Sequence, residues 1–290
     1  MFAGTYVALI TPFKGEQVDY ESLEKLVEFQ VQAGVAGLVP CGTTGESPTL
    51  SHKEHDEVIE HVVKFSAGRL HVMAGTGSNS TSEAIRLTKH AERAGADSAL
   101  LVAPYYNKPT QEGLYEHYKK IAENTSLPLV IYNIPGRCGI EISPETIAKL
   151  AEIENIVAVK HATGSMDGAS ALRTMCDIDI LSGDDSMTLP LMSVGGKGVV
   201  SVIANIIPSD MKALTDAALA GDYVKAEQLH RKMFALAKGM LSLATNPIPI
   251  KCAMSMLGMC QEQLRLPLVP MNNALKDKLR EMLKNYGLLK

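Results

Sequence analysis

The sequence reads as an α/β protein: a (β/α)8 TIM barrel followed by a C-terminal three-helix extension. Three observations predict this. Eight short apolar or β-branched runs recur at a repeat of about 30 residues, the length of a strand–helix–strand unit. Each run is continuous rather than alternating, as expected for strands buried on both faces of a parallel sheet. Stretches with helical spacing lie between most of the runs, and after Ala220 the strands stop.

In order, the runs are TYVALI (5–10), GLVP (37–40), HVMAG (71–75), SALLVAP (98–104), LPLVIYN (127–133), IVAVKH (156–161), IDILSG (178–183) and GVVSVIAN (198–205). Amphipathic spacing predicts helices over Tyr20–Phe29 and Ser82–Ala91, among others. "QAGVAG" and "RAGADS" end early helices on glycine, which suits a C-cap leading into a strand. Residues 221–243, 246–259 and 270–287 read as three further helices, their joins marked by Pro247, Pro249, Pro267 and Pro270. The expected division is a catalytic barrel over 1–220 and a helical extension over 221–290.

Composition narrows the function. The chain has 290 residues, 46% hydrophobic, with a net charge of −4. That core is large enough for a single-domain α/β barrel. A weakly acidic chain with no basic stripe argues against nucleic-acid binding. Cys41, Cys138, Cys176, Cys252 and Cys260 are odd in number and irregularly spaced, which suits free thiols in a reducing compartment. The opening MFAGTYVALITPF lacks the basic and apolar regions of a signal peptide. No apolar stretch approaches the roughly 20 residues that span a bilayer. The expected location is the cytoplasm.

In such barrels the active site lies at the C-terminal ends of the strands. Those ends carry Thr11, then Cys41-Gly42-Thr43-Thr44-Gly45-Glu46, then Thr76, Ser78 and Asn79. Further round come Tyr105 and Tyr106, Tyr132, Asn133 and Arg137, Lys160, Gly183 and Asp184, and Asn205. Lys160 closes the apolar run Ile156–Val159. A buried amine without a partner is costly when charged, so its pKa falls and the neutral form becomes a nucleophile toward a carbonyl. Tyr132 ends the neighbouring strand, about 4.8 Å away, and is suited to proton transfer for an imine-forming lysine. A single lysine past a strand end more commonly snorkels to water, and a single tyrosine more commonly packs in a core. The pair, within a polar ring, favours catalysis.

"GTTGE" lacks the lysine of a phosphate-cradling loop, though its hydroxyls and N–H groups can hold an anion. "SGDDS" and "ANIIPSD", where barrels often bind phosphate, are acidic or apolar and argue against a phosphorylated substrate. "SHKEHDEVIEH" holds His52, His55 and His61 but is not HExxH. Ser51 with Glu54 fits a capping box, which makes a helix start the better reading than a metal site.

Taken together, "CGTTGES", "YYNKP", "YNIPGRCG" and "VKHATG", with "GTYVALITPF" and "ILSGDD", resemble the dihydrodipicolinate synthase family over essentially the whole chain. The resemblance implies condensation of pyruvate with L-aspartate 4-semialdehyde on the diaminopimelate route to lysine, with no cofactor and no metal. It implies that Lys160 is the Schiff-base lysine and Tyr132 the proton donor and acceptor. Thr43 and Tyr106 complete the relay, Tyr106 being supplied by a neighbouring subunit of a homotetramer built from two dimers. Thr44, Val200 and Gly183 fall at pyruvate-side positions, and Arg137 at the position that anchors the aldehyde's carboxylate. Ser47, Pro48, His52, His55, Asn79, Glu83 and Tyr105 fall at or beside the positions that bind L-lysine in feedback-inhibited members. Two departures stand out: His161 replaces a commonly acidic residue, and Pro48 a commonly small one.

Other pyruvate-type aldolases, such as N-acetylneuraminate lyase, share the lysine, the tyrosine and the GxTGE turn. Arg137 separates them, because a guanidinium captures a small substrate's carboxylate, whereas sugar acids call for hydroxyl-binding groups. A non-catalytic keto-acid-binding protein is the remaining alternative, and intact Lys160, Tyr132 and Thr43 argue against it.

Overall fold

The computed structural model describes residues 2–290. Its strands are β1 (Gly4–Ala8), a two-stranded hairpin of β2 (Phe13–Lys14) and β3 (Gln17–Val18), β4 (Gly37–Val39), β5 (His71–Gly75), β6 (Ser98–Val102), β7 (Leu129–Asn133), β8 (Ile156–His161), β9 (Asp179–Ser182) and β10 (Gly198–Ser201). All but the hairpin close into one barrel, in the order β1-β10-β9-β8-β7-β6-β5-β4, with parallel pairing throughout. Around it run α1 (Tyr20–Ala33), α2 (His52–Ser66), α3 (Thr81–Ala94), α4 (Gln111–Ala122), the one-turn α5 (Pro135–Cys138), α6 (Pro144–Leu150), α7 (Met166–Met175), α8 (Thr188–Ser193) and α9 (Pro208–Leu219). Helices α10 (Tyr223–Ser242), α11 (Ile248–Met256) and α12 (Asn273–Tyr286) follow.

Local chemistry explains the boundaries. Asp19 opens α1 by accepting the Ser22 N–H, and Gly34 closes it at φ 67°. The Ser51–Glu54 capping box forms in both directions and starts α2. Gly95 ends α3 in the same left-handed conformation as Gly34, which a residue without Cβ adopts freely. The eighth run is shorter than its apolar stretch suggests. Asp185 Oδ2 accepts the N–H groups of Val202 and Ile203, and the Asn205 amide donates to the carbonyls of Ala8 and Val202. These bonds divert the backbone from the ladder into a 3-10 turn over Ile203–Asn205.

The core has two layers. Tyr6, Met73, Leu100, Val130, Leu181 and Val200 fill the barrel interior, and a larger shell lies between strands and helices. Filling the interior from below leaves the C-terminal mouth as the place where polar groups gather. Among the three last helices, α10 packs on α9 and α12, and α11 on α12. No helix among the described residues is long and apolar enough to cross a membrane.

Candidate active site

Strand register places the central pair. In the β7–β8 ladder Tyr132 lies directly beside Lys160, and Asn133 beside His161. Both side chains turn into the barrel mouth, and the Lys160 amine stands 4.0 Å from the centroid of the Tyr132 ring. Lys160 is 6% exposed and no carboxylate lies within ion-pairing distance of it among the described residues. Burial pulls its pKa down to about 7, with Asp185 pulling it back up and Arg137 adding to the fall. At neutral pH a large share of the amine is therefore unprotonated and nucleophilic. Burial pushes the Tyr132 phenol up to about 12, partly offset by the Arg137 guanidinium and by the Thr43 hydroxyl. The phenol thus keeps its proton until chemistry demands it.

These residues line a cavity of about 150 Å³ together with Thr43, Thr44, Arg137, His161, Gly183, Asp184 and Asn246. Gly183 is there because of space. A Cβ at this position would lie 2.6 Å from the Ala162 Cβ and 3.2 Å from Lys160 Cε, so a side chain would displace the amine. Thr44 is buried, and its hydroxyl accepts a hydrogen bond from the Asn246 amide at 3.0 Å. Arg137 comes from α5, the turn that "PGRC" makes directly after β7, and donates to the Asn246 carbonyl at 2.9 Å. His161 is buried and donates through Nε2 to the Ser165 carbonyl. Burial lowers its pKa, so this position presents a neutral ring. Val200 does not line the cavity. It packs in the barrel interior with Tyr132 beneath the mouth, and Val202 reaches the cavity wall instead.

Tyr106 is absent from this cavity. It is 90% exposed and holds a left-handed backbone, φ 74°, a conformation disfavoured for a bulky residue. Its neighbour Tyr105 turns the other way, into a second cavity of about 470 Å³ with Ser47, Pro48, His52, His55 and Glu83. Thr43 and Arg137 belong to both cavities and form the wall between them. In the second cavity Glu83 accepts hydrogen bonds from His52, at 2.8 Å, and from Ser78. Those donors hold its carboxyl below the ordinary range. His55 donates to the Gly75 carbonyl, and burial lowers its pKa to about 4. Asn79 does not line this cavity; its amide donates to the Tyr105 carbonyl.

Sequence reasoning missed three residues near the first cavity. Asp185 is fully interior and is the carboxylate that acts on Lys160 across space. Asn246 bridges Thr44 and Arg137 from the loop before α11. Lys251 reaches the "GTTGE" turn from α11. "SGDDS" was a visible acidic signal for Asp185, whereas no local pattern singles out Asn246 or Lys251.

A buried, unpaired amine, a proton-holding phenol beside it, hydroxyls and a guanidinium around one small cavity define an enzyme that works through an amine–carbonyl adduct on a (β/α)8 barrel. The comparisons with known proteins agree. The chain belongs to the dihydrodipicolinate synthetase family, whose model matches residues 1–286. The 4-hydroxy-tetrahydrodipicolinate synthase of Syntrophus aciditrophicus is 52% identical over 291 residues, covering all of both chains. The crystal structure of dihydrodipicolinate synthase from Aquifex aeolicus superposes with a TM-score of 0.98 at 53% identity, covering 99% of each chain. Two further matches carry ligands. The enzyme of Acinetobacter baumannii is complexed with pyruvate (TM-score 0.96, 45% identity, all of both chains), and that of Cyanidioschyzon merolae has lysine bound (TM-score 0.96, 40% identity, 99% of each).

Proposed function

We propose that this enzyme is a 4-hydroxy-tetrahydrodipicolinate synthase, joining pyruvate to L-aspartate 4-semialdehyde in lysine biosynthesis. The observation that carries the reading is the buried Lys160 amine facing Tyr132, with Thr44 and Arg137 beside them. The neutral amine adds to the pyruvate carbonyl, and loss of water leaves an imine. Thr44 and the N–H groups of its turn hold the keto acid's carboxylate. Tyr132, through Thr43, carries protons to the leaving oxygen and away from the pyruvate methyl carbon. The resulting enamine forms a C–C bond with the aldehyde, whose own carboxylate is held by Arg137. The aldehyde's amino group then displaces Lys160 from the imine, which closes the ring and frees the amine.

Borohydride added with pyruvate tests the first step. Inactivation should come with added mass on the peptide that holds Lys160. Full inactivation with that peptide unmodified would sink the assignment.

The same reading extends to regulation and assembly. L-Lysine is the ligand proposed for the second cavity, where Glu83 suits its ammonium and Tyr105 and Asn79 its head group. Pro48 is the second residue of the 3-10 turn Ser47–Thr49 on the cavity wall and supplies no N–H there. Calorimetry with lysine on the parent and on Glu83→Ala decides: no binding at millimolar lysine by the parent excludes the site. Exposed Tyr106 is read as the group given to a partner's relay in a homotetramer made of two dimers. An active monomer in sedimentation would contradict it. Free thiols and the absence of a spanning helix support a cytoplasmic setting. The barrel over 1–220 is read as the catalytic unit and 221–290 as its extension.

A further inference from the structure

The turn that carries Thr43 and Thr44 is bounded by two non-glycine residues in the left-handed region, Cys41 and Glu46, each at φ 55°. Side chains rarely adopt that conformation unless their surroundings hold it. At Glu46 the surroundings come from the C-terminal extension. Glu46 and Lys251 have fully buried side chains, 0% exposed, with Lys251 Nζ 2.5 Å from Glu46 Oε1. The other Glu46 oxygen accepts the Arg265 N–H at 3.1 Å, and Lys251 also donates to the Gln263 carbonyl at 2.8 Å. The ammonium lies 4.0 Å from the Phe13 ring centroid. Burial lowers the Lys251 pKa on balance, and the Glu46 carboxylate opposes the fall.

The turn itself is one hydrogen-bonded unit. Gly45 N–H donates to the Gly42 carbonyl and Glu46 N–H to the Thr43 carbonyl, both at 3.1 Å. The Thr11 hydroxyl pins the Gly45 carbonyl at 2.7 Å. A Cβ on Gly45 would meet Cys41 N at 3.1 Å and the Leu9 carbonyl at 3.2 Å, so the turn has little room to slide. Displacing Glu46 therefore displaces Thr43 and Thr44.

We propose that Lys251 is a positioning residue for the Gly42–Glu46 turn: its ammonium, sealed against the Glu46 carboxylate, clamps α11 onto the turn and sets where Thr43 and Thr44 stand for the keto acid. The inference rests on reading the first cavity as the pyruvate site. It assigns the extension a part in binding, because the clamp lies outside the cavity and touches no substrate. A buried carboxylate that loses its contacting cation moves toward water, and the turn moves with it.

The test uses Lys251→Met, Glu46→Gln and the double variant, assayed well below each unfolding midpoint. Both single variants should raise the pyruvate KM more than they lower kcat, with kcat/KM for pyruvate falling by up to about a hundredfold, the scale of a small misplacement of a binding group. Borohydride trapping should need correspondingly more pyruvate. The double variant buries no charge, so it should regain thermal stability over Lys251→Met while its pyruvate KM stays high. That split separates positioning from mere folding. Should Lys251→Met not accumulate folded, Glu46→Gln carries the test, since its amide still offers the ammonium an acceptor. Parent-like pyruvate KM in the folded variants, with only the unfolding midpoint lowered, overturns the inference. A parent that forms no trapped adduct overturns the pyruvate reading, and the inference falls with it.

Discussion

Two lysines lie in the interior of this molecule, each with its amine 4.0 Å from an aromatic centroid: Lys160 over Tyr132 and Lys251 over Phe13. Their surroundings differ in one respect. Lys251 has a carboxylate at 2.5 Å and a backbone carbonyl at 2.8 Å. Lys160 has neither at that range, and Asp185, the carboxylate that acts on it, is held back by the N–H groups of Val202 and Ile203. Burial alone would disfavour both ammonium groups. At Lys251 a contacting carboxylate opposes the fall in pKa and makes the amine part of a structural ion pair. Withholding that partner leaves the other near a pKa of about 7, where the free amine is abundant and reactive. The lesson is that burial makes a lysine chemically available only where the fold declines to neutralise its charge by contact.

The comparison breaks hardest at Lys160 itself. Lys160→Met should abolish the borohydride-trapped pyruvate adduct, while Lys251→Met should still form one at higher pyruvate. Next comes the phenol. Tyr132→Phe should lower kcat by about 100- to 10,000-fold, the usual contribution of a positioned proton donor, with the unfolding midpoint near that of the parent. A small effect in steady-state assays would remove Tyr132 from the relay.

The stabilities of the two lysine variants should have opposite signs. Removing one partner of a buried ion pair costs about 3–5 kcal/mol, so Lys251→Met should unfold far earlier in urea. Lys160 has its folded pKa depressed from 10.5 to about 7. Below pH 7 the unfolded amine and, increasingly, the folded one are protonated, and the folded state carries the full penalty. Between pH 7 and 10.5 the unfolded chain holds a proton that the folded state has lost, and the penalty shrinks as pH rises. Lys160→Met should therefore raise the unfolding midpoint at pH 7, with the gap closing toward pH 10. A Lys160→Met variant as unstable as Lys251→Met would dissolve the contrast.

Arg137→Ala should act on the second substrate more than the first. Loss of a charge-assisted pair, about 1.5–3 kcal/mol, lowers kcat/KM for the aldehyde roughly ten- to a hundredfold, and trapping of pyruvate should survive. The smallest effect is expected at Asp185. Imine formation by the parent should rise with pH through about 7 as Lys160 deprotonates. Asp185→Asn removes the charge that supports the ammonium, so the acid limb should move to lower pH. An unmoved limb in stopped-flow pH profiles would show that Asp185 serves only the backbone at Val202 and Ile203, just past β10.

How much of this was legible follows from distance along the chain. The Lys160–Tyr132 pair could be read because an apolar run that ends on an amine, one strand from a run that ends on a phenol, is a local pattern, and the barrel period aligns the two. The division between Tyr105 and Tyr106 was half legible: alternation separates neighbours, but only the backbone at φ 74° turns Tyr106 outward. Asn246 and Lys251 were not legible. Their partners, Thr44 and Glu46, lie 202 and 205 residues away, and nothing near "NPIPIK" announces a contact with "GTTGE".

The sequence by itself determined the barrel, the helix caps, the placement of hydroxyls and charges at strand ends, and the apolar run that ends on the Lys160 amine. These follow from hydrophobic period, turn chemistry and the cost of burying charge, all local properties. Tertiary structure decided which buried lysine is paired. It set Val200 beneath the cavity and Val202 on its wall, and it made Thr43 and Arg137 a wall common to two cavities. Those outcomes depend on where chain segments hundreds of residues apart come to rest. An ion pair or an orphaned amine exists only once that packing has excluded water from around it.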